Sequence, residues 1–71
     1  MTPSRFTEMG RALYGERWQS ESARALGRSY RTVRHWLSET WPIPEWVEGE
    51  MVRLLAERVE KIEQLTEGTG G

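Results

Sequence analysis

The sequence has no cysteine, no aspartate and only one histidine, and these shortages remove several kinds of chemistry at once. Disulfide staples are excluded, a structural zinc site lacks its ligands, and the lone His35 has no cysteine, aspartate or second histidine with which to form a catalytic or metal site. No catalytic residue, metal or cofactor is therefore expected, nor a small-molecule ligand. No run approaches the roughly 18 apolar residues of a membrane span, and the first residues lack the basic-then-apolar layout of a signal peptide. The expectation is a soluble, cytoplasmic protein with no membrane attachment. The alternation that marks a β-strand is absent as well. At 71 residues the chain is about half the modal domain size, so one small domain must draw its stability from packing or self-association. Four tryptophans are present, and a core this small needs their area, so at least three are expected inside.

What is abundant is charge, and it is unevenly placed. Residues 1–37 carry seven arginines against Glu8, Glu16 and Glu21, a balance of +4, whereas residues 38–71 carry three basic residues against eight glutamates, a balance of −5. The net charge of −1 conceals this division. An anion-binding N-terminal part joined to a solvated acidic segment is the reading. Nine of the ten basic residues are arginine, a bias suited to bidentate contact with phosphates or bases. Codon usage in a GC-rich genome gives the same bias, so the positions of the arginines carry more weight than their number.

Thr2-Pro3 is a helix start, a hydroxyl cap followed by proline where the missing N–H costs nothing. Phe6, Met9, Gly10, Leu13 and Tyr14 then form one face of a first helix, ended by Gly15. Glu16-Arg17 is a short connection. A second helix of about two turns ends before Gly27; it begins at Trp18, a poor cap, or at Ser20, a good one. Ser29 caps a third helix over residues 30–37, with Val33, Trp36 and Leu37 on one side and Tyr30, Arg31, Arg34 and His35 on the other. Thr40-Trp41-Pro42-Ile43-Pro44 is an irregular connector, because each proline biases its predecessor away from helix. From Pro44 or Glu45 a fourth helix runs to about Thr66, with Gly49 as the point where it can bend or break. Residues 67–71 have nothing to bury and are expected to be disordered. The fold class is thus all-α, a small helix-turn-helix bundle of about four helices spanning residues 1–66.

Two short helices around Leu26-Gly27-Arg28-Ser29 have helix-turn-helix proportions. Gln19, Ala23, Leu26, Gly27, Ser29, Val33 and Trp36 resemble the lambda-repressor and Cro-like, or XRE-type, helix-turn-helix family over residues 18–44. In that family's pattern a glutamine opens the second helix, a small residue lines its inner face, glycine makes the turn and a β-branched residue anchors the recognition helix; Gln19, Ala23, Gly27 and Val33 fill those places. Three features depart from it. Ser22 stands where an apolar residue is usual, Trp36 exceeds the usual aliphatic, and one long helix replaces several short ones at the C-terminal end. Residues 14–19 and 32–36 are also similar to small regulators of phages and mobile elements, including some that accompany anti-CRISPR genes. The resemblance implies an operator-binding regulator in a bacterial or phage-infected cell, one that controls its own operon.

Physical reasoning reaches a similar expectation. A helix fits the major groove, where one guanidinium meets guanine O6 and N7 with two hydrogen bonds. Arg31 and Arg34 have the spacing for this; Tyr30, Thr32 and His35 are further candidates for base contact. Gln19, Arg28, Ser29 and Ser38 sit at helix ends, where they are candidates for phosphate contact. On the fourth helix Val52, Leu55, Val59 and Ile62 follow an a/d spacing flanked by Leu54 and Leu65, with Arg53–Glu57 and Glu57–Lys61 as outer ion pairs. Val47, Met51 and Leu55 are expected to cover the bundle. A helix of about 22 residues is about 33 Å long, so its far end overhangs, and Leu55, Val59, Ile62 and Leu65 are expected to pair with a second copy. The expected partners are double-stranded DNA and a homodimer mate, and the expected activity is repression at a palindromic operator. Two alternatives stand beside it: an antitoxin or other interaction module using the acidic helix, and an RNA or single-strand binder stacking bases on tryptophan.

Overall fold

The computed structural model describes residues 1–70, with side chains through Glu67. Four α-helices follow one another: α1 (Pro3–Tyr14), α2 (Trp18–Leu26), α3 (Tyr30–Leu37) and α4 (Glu45–Gly70), with a 3₁₀ turn at Gly15–Arg17 between the first two. There is no strand among the described residues. Thr2 caps α1 by accepting from the Arg5 N–H at 3.2 Å, with Pro3 in the first turn. Gly15 ends it at φ 72°, a conformation other residues adopt only under strain.

The core is small and aromatic. Phe6 is fully buried and meets two indoles edge-on, Trp18 at 5.3 Å and Trp36 at 5.8 Å between ring centroids. Met9, Leu13, Ala23, Leu26, Val33, Val47 and Met51 complete it. Gly10 is buried directly against the Trp18 indole, and a Cβ there would overlap ring atoms, so glycine is what lets α1 and α2 approach. This settles where α2 begins: Trp18 is its first residue because its ring is anchored in the core, and it needs no side-chain cap. Ser22, the departure from an apolar pattern, is fully buried and its hydroxyl finds no hydrogen-bond partner.

Only two tryptophans are internal, against the expected three. Trp41 and Trp46 are 46% and 43% exposed. On α4 the inward positions belong to Val47 and Met51, which turns Trp46 outward, and the turn after α3 carries Trp41 to the surface.

α4 lies along α1 in the same direction. Arg5 pairs with Glu48 at 3.0 Å near one end, and the Arg58 guanidinium lies over the Tyr14 ring at 5.9 Å near the other. The helix passes through Gly49 without a break and continues to Gly70, four residues past the expected end at Thr66. Thus residues 67–70 of the expected disordered tail belong to α4, and Gly71 lies outside the described residues. Past Arg58 the helix extends by about 18 Å at 1.5 Å per residue, which explains dimensions of 50 × 21 × 20 Å. Arg53 bonds both Glu50 and Glu57, so Glu57 pairs with Arg53 rather than with Lys61. Hydrogen bonding from Arg53, followed by its charge, holds the Glu50 carboxyl below its ordinary pKa.

Candidate nucleic-acid interface

α2 and α3 are joined by a short turn at residues 27–29. Gly27 adopts φ 69°, its N–H reaches Arg24 O at 3.2 Å, and the Arg28 N–H reaches Ala23 O at 2.9 Å. That pair of bonds closes the last turn of α2 and ends the helix at Gly27. Ser29 then starts α3: its Oγ accepts from the Thr32 N–H at 3.2 Å and shares a 3.0 Å hydrogen bond with the Thr32 hydroxyl. Val33 and Trp36 hold α3 down from beneath.

Held this way, α3 presents a basic face to solvent. Arg31 and Arg34 are exposed one turn apart, Tyr30 is 48% exposed, and His35 is half-buried. Among the described residues no carboxylate pairs with Arg17, Arg24, Arg28, Arg31 or Arg34, so their field is not cancelled locally. Tyr30, Arg31, Arg34, His35, Ser38 and Thr40 line one shallow open groove. A second, lined by Glu16, Arg17, Gln19, Ser20 and Tyr30, adjoins it across the Tyr30 ring. The bases of a duplex could be read from the first while the start of α2 meets the backbone.

Several expected contact residues have partners within the chain. The Thr32 side chain is half-buried and engaged in the Ser29 cap. Ser38 donates from Oγ to His35 O at 3.2 Å and shares a hydrogen bond with Thr40 Oγ1 at 2.9 Å. Arg28 is exposed, but its guanidinium lies 4.9 Å from the Trp46 ring centroid and its Nη1 donates to Gly27 O at 3.2 Å. His35 packs against Trp41 at 4.1 Å between ring centroids and 36° between planes. Gln19 is half-buried in the first turn of α2.

The turn after α3 repeats the Gly27 device without a glycine. Glu39 takes φ 61°, its N–H bonds Trp36 O, and the Thr40 N–H bonds His35 O at 3.0 Å. A non-glycine residue in this conformation costs about 1–2 kcal/mol; here it holds Thr40 against α3 and brings Trp41 onto His35. Thr40 is not signalled at this surface by the sequence; Arg17 is one of the five arginines of the basic stretch 17–36, and Trp41 and Trp46 belong to the four tryptophans of which at least three were expected inside.

The second expected surface is the overhang of α4. Val59, Ile62 and Leu65 are 53%, 54% and 63% exposed, and Val52 is 47% exposed. Leu55, expected at the same surface, is half-buried and packs against the core of its own chain. No helix among the described residues is long and apolar enough to cross a membrane. Comparison with protein families, with characterised proteins and with solved structures finds no match, so the functional reading stands on the residues and their geometry.

Proposed function

We propose that this chain binds duplex DNA sequence-specifically as a homodimer and regulates transcription, most simply by occluding a promoter in the cytoplasm of a bacterial or phage-infected cell. The observation that carries the reading is the exposed, acid-free face of α3 with Arg31 and Arg34 one turn apart. Two unpaired guanidinium groups at that spacing suit successive guanines in a major groove, and Tyr30 beside them suits a thymine methyl or a phosphate. The exposed apolar edge of α4 supports pairing with a second copy. A two-fold dimer would set two α3 helices on half-sites about 34 Å apart, or a multiple of that spacing.

Selection of the full chain against a random duplex pool at moderate salt tests this. An enriched inverted repeat is expected. Binding that persists only at low salt and enriches no sequence would reduce α3 to a charged surface. The same exposed edge on an acid-rich helix favours one second reading, in which α4 engages a different protein; a monomer at micromolar concentration by light scattering would direct the search there.

A further inference from the structure

Trp41 and Trp46 fill no core, yet each covers a candidate DNA-contacting side chain at one end of α3. At the start, Trp46 from the first turn of α4 lies against the Arg28 guanidinium, 4.9 Å from ring centroid to Cζ. At the end, Trp41 from the connector packs on His35 with ring centroids 4.1 Å apart and planes tilted by 36°. Both rings remain nearly half exposed, so neither contact is a by-product of complete burial. We infer that the two tryptophans are positioning residues for the DNA interface: Trp46 holds Arg28 for a phosphate, and Trp41 holds His35 so that it meets a base with its ring edge. The inference rests on the DNA-binding reading above.

The physical warrant is loss of side-chain freedom before binding. Immobilising a mobile side chain at an interface costs roughly 2- to 10-fold in affinity, and a side chain already held by an aromatic plane avoids part of that loss. The two contacts differ in what they hold. Guanidinium over indole is an attraction of charge for the ring face and leaves other guanidinium N–H groups free to donate. Imidazole on indole covers one face of His35 and leaves its nitrogens as the groups that can meet a base edge. The tight turn at Glu39, closed by Thr40 and Trp41 N–H groups on His35 O at 3.0 and 3.3 Å, ties the Trp41 backbone to the very residue its ring covers. Arg28 is likewise tied by its own bond to Gly27 O. A sequence-reading contact and a sequence-blind contact are therefore supported separately, and their loss has different signatures.

The test uses the full chain with the duplex enriched by selection and a random duplex of equal length. Trp41→Ala is expected to relax discrimination about 10-fold at the same base pairs as His35→Ala, with the double variant no worse than either single one and Trp41→Phe close to wild type. Trp46→Ala is expected to lower the affinity for both duplexes alike by about 3- to 10-fold with the salt dependence unchanged, because the Arg28 charge is kept, whereas Arg28→Ala lowers both the affinity and, by about one unit, the salt slope. Trp46→Phe should restore the affinity. In the free protein, NMR should show His35 ring protons shifted upfield and returned to ordinary positions by Trp41→Ala while the amide spectrum stays dispersed, which separates loss of the ring contact from unfolding. Unchanged discrimination in Trp41→Ala where His35→Ala loses it, or unchanged affinity in Trp46→Ala where Arg28→Ala loses it, overturns the corresponding role while leaving DNA binding intact. Failure of the wild-type chain to enrich any sequence overturns the DNA reading, and both roles with it.

Discussion

The two halves of α4 both carry apolar residues at helical spacing, and they meet opposite fates. Val47 and Met51 are completely buried against Phe6 and its neighbours, whereas Val59, Ile62 and Leu65 stand more than half exposed on the overhang. The difference arises from α1, which is only twelve residues long and runs out beside Arg58. Apolar periodicity specifies which face of a helix avoids water; how far that face is covered depends on the length of the element beside it. The buried half therefore bears on folding, and the exposed half is the surface on which the proposed pairing with a second copy rests.

Substitutions can break or sharpen that division. The largest effect is expected in the buried half: Phe6→Ala removes the ring that both Trp18 and Trp36 meet edge-on and should cost about 3–5 kcal/mol, read as a fall in the denaturation midpoint. An equally severe loss from a substitution on the overhang would erase the distinction. Next comes the surface the bundle supports. Arg31→Ala or Arg34→Ala should cost about 1–3 kcal/mol on the preferred duplex and relax sequence preference, while thermal stability is unchanged; equal losses on specific and random DNA would deny these arginines a reading role. Gly49→Ala tests the joint between the halves. A Cβ there meets open space, so up to about 1 kcal/mol of stabilisation is expected from the gain in helix propensity, and destabilisation would reveal a contact with a partner at that position. Ile62→Glu should have the smallest effect on the fold, within about 0.5 kcal/mol for the monomer as for other exposed positions, yet it should convert dimer to monomer in light scattering. An unchanged mass would remove the overhang as the interface.

A further contrast lies between the two turns flanking α3. Gly27 announced its turn in the sequence, because a glycine after an apolar helix end is the usual left-handed stop. Glu39 adopts a similar left-handed conformation, and nothing in its identity signalled it. The consequence was that nothing placed Trp41, one of four tryptophans of which at least three were expected inside, against His35. Trp46 escaped for a different reason. Its spacing from Val47 and Met51 leaves either side of α4 open to a large ring, and only the position of α1 chose between them. At the candidate interface, Tyr30, Arg31 and Arg34 were legible because they share the α3 face opposite Val33 and Trp36, and amphipathicity alone orients them. The engagement of Thr32 and Ser38 in caps was less legible, since a hydroxyl at a helix end can satisfy its own backbone or a ligand with the same geometry.

By itself the sequence determined the local plan of this protein: where the four helices lie, the caps at Thr2 and Ser29, the stop at Gly27, and the separation of a basic N-terminal part from an acidic helix. These follow from short-range sterics, hydrogen bonding within a turn and the 3.6-residue period, all of which act between neighbours in the chain. Only the tertiary structure decided that Gly10 receives the Trp18 ring, that Ser22 is enclosed, that two tryptophans serve the surface and that α4 outruns the bundle. Each of these depends on how far apart two elements come to rest, a quantity set by the summed packing of the whole core.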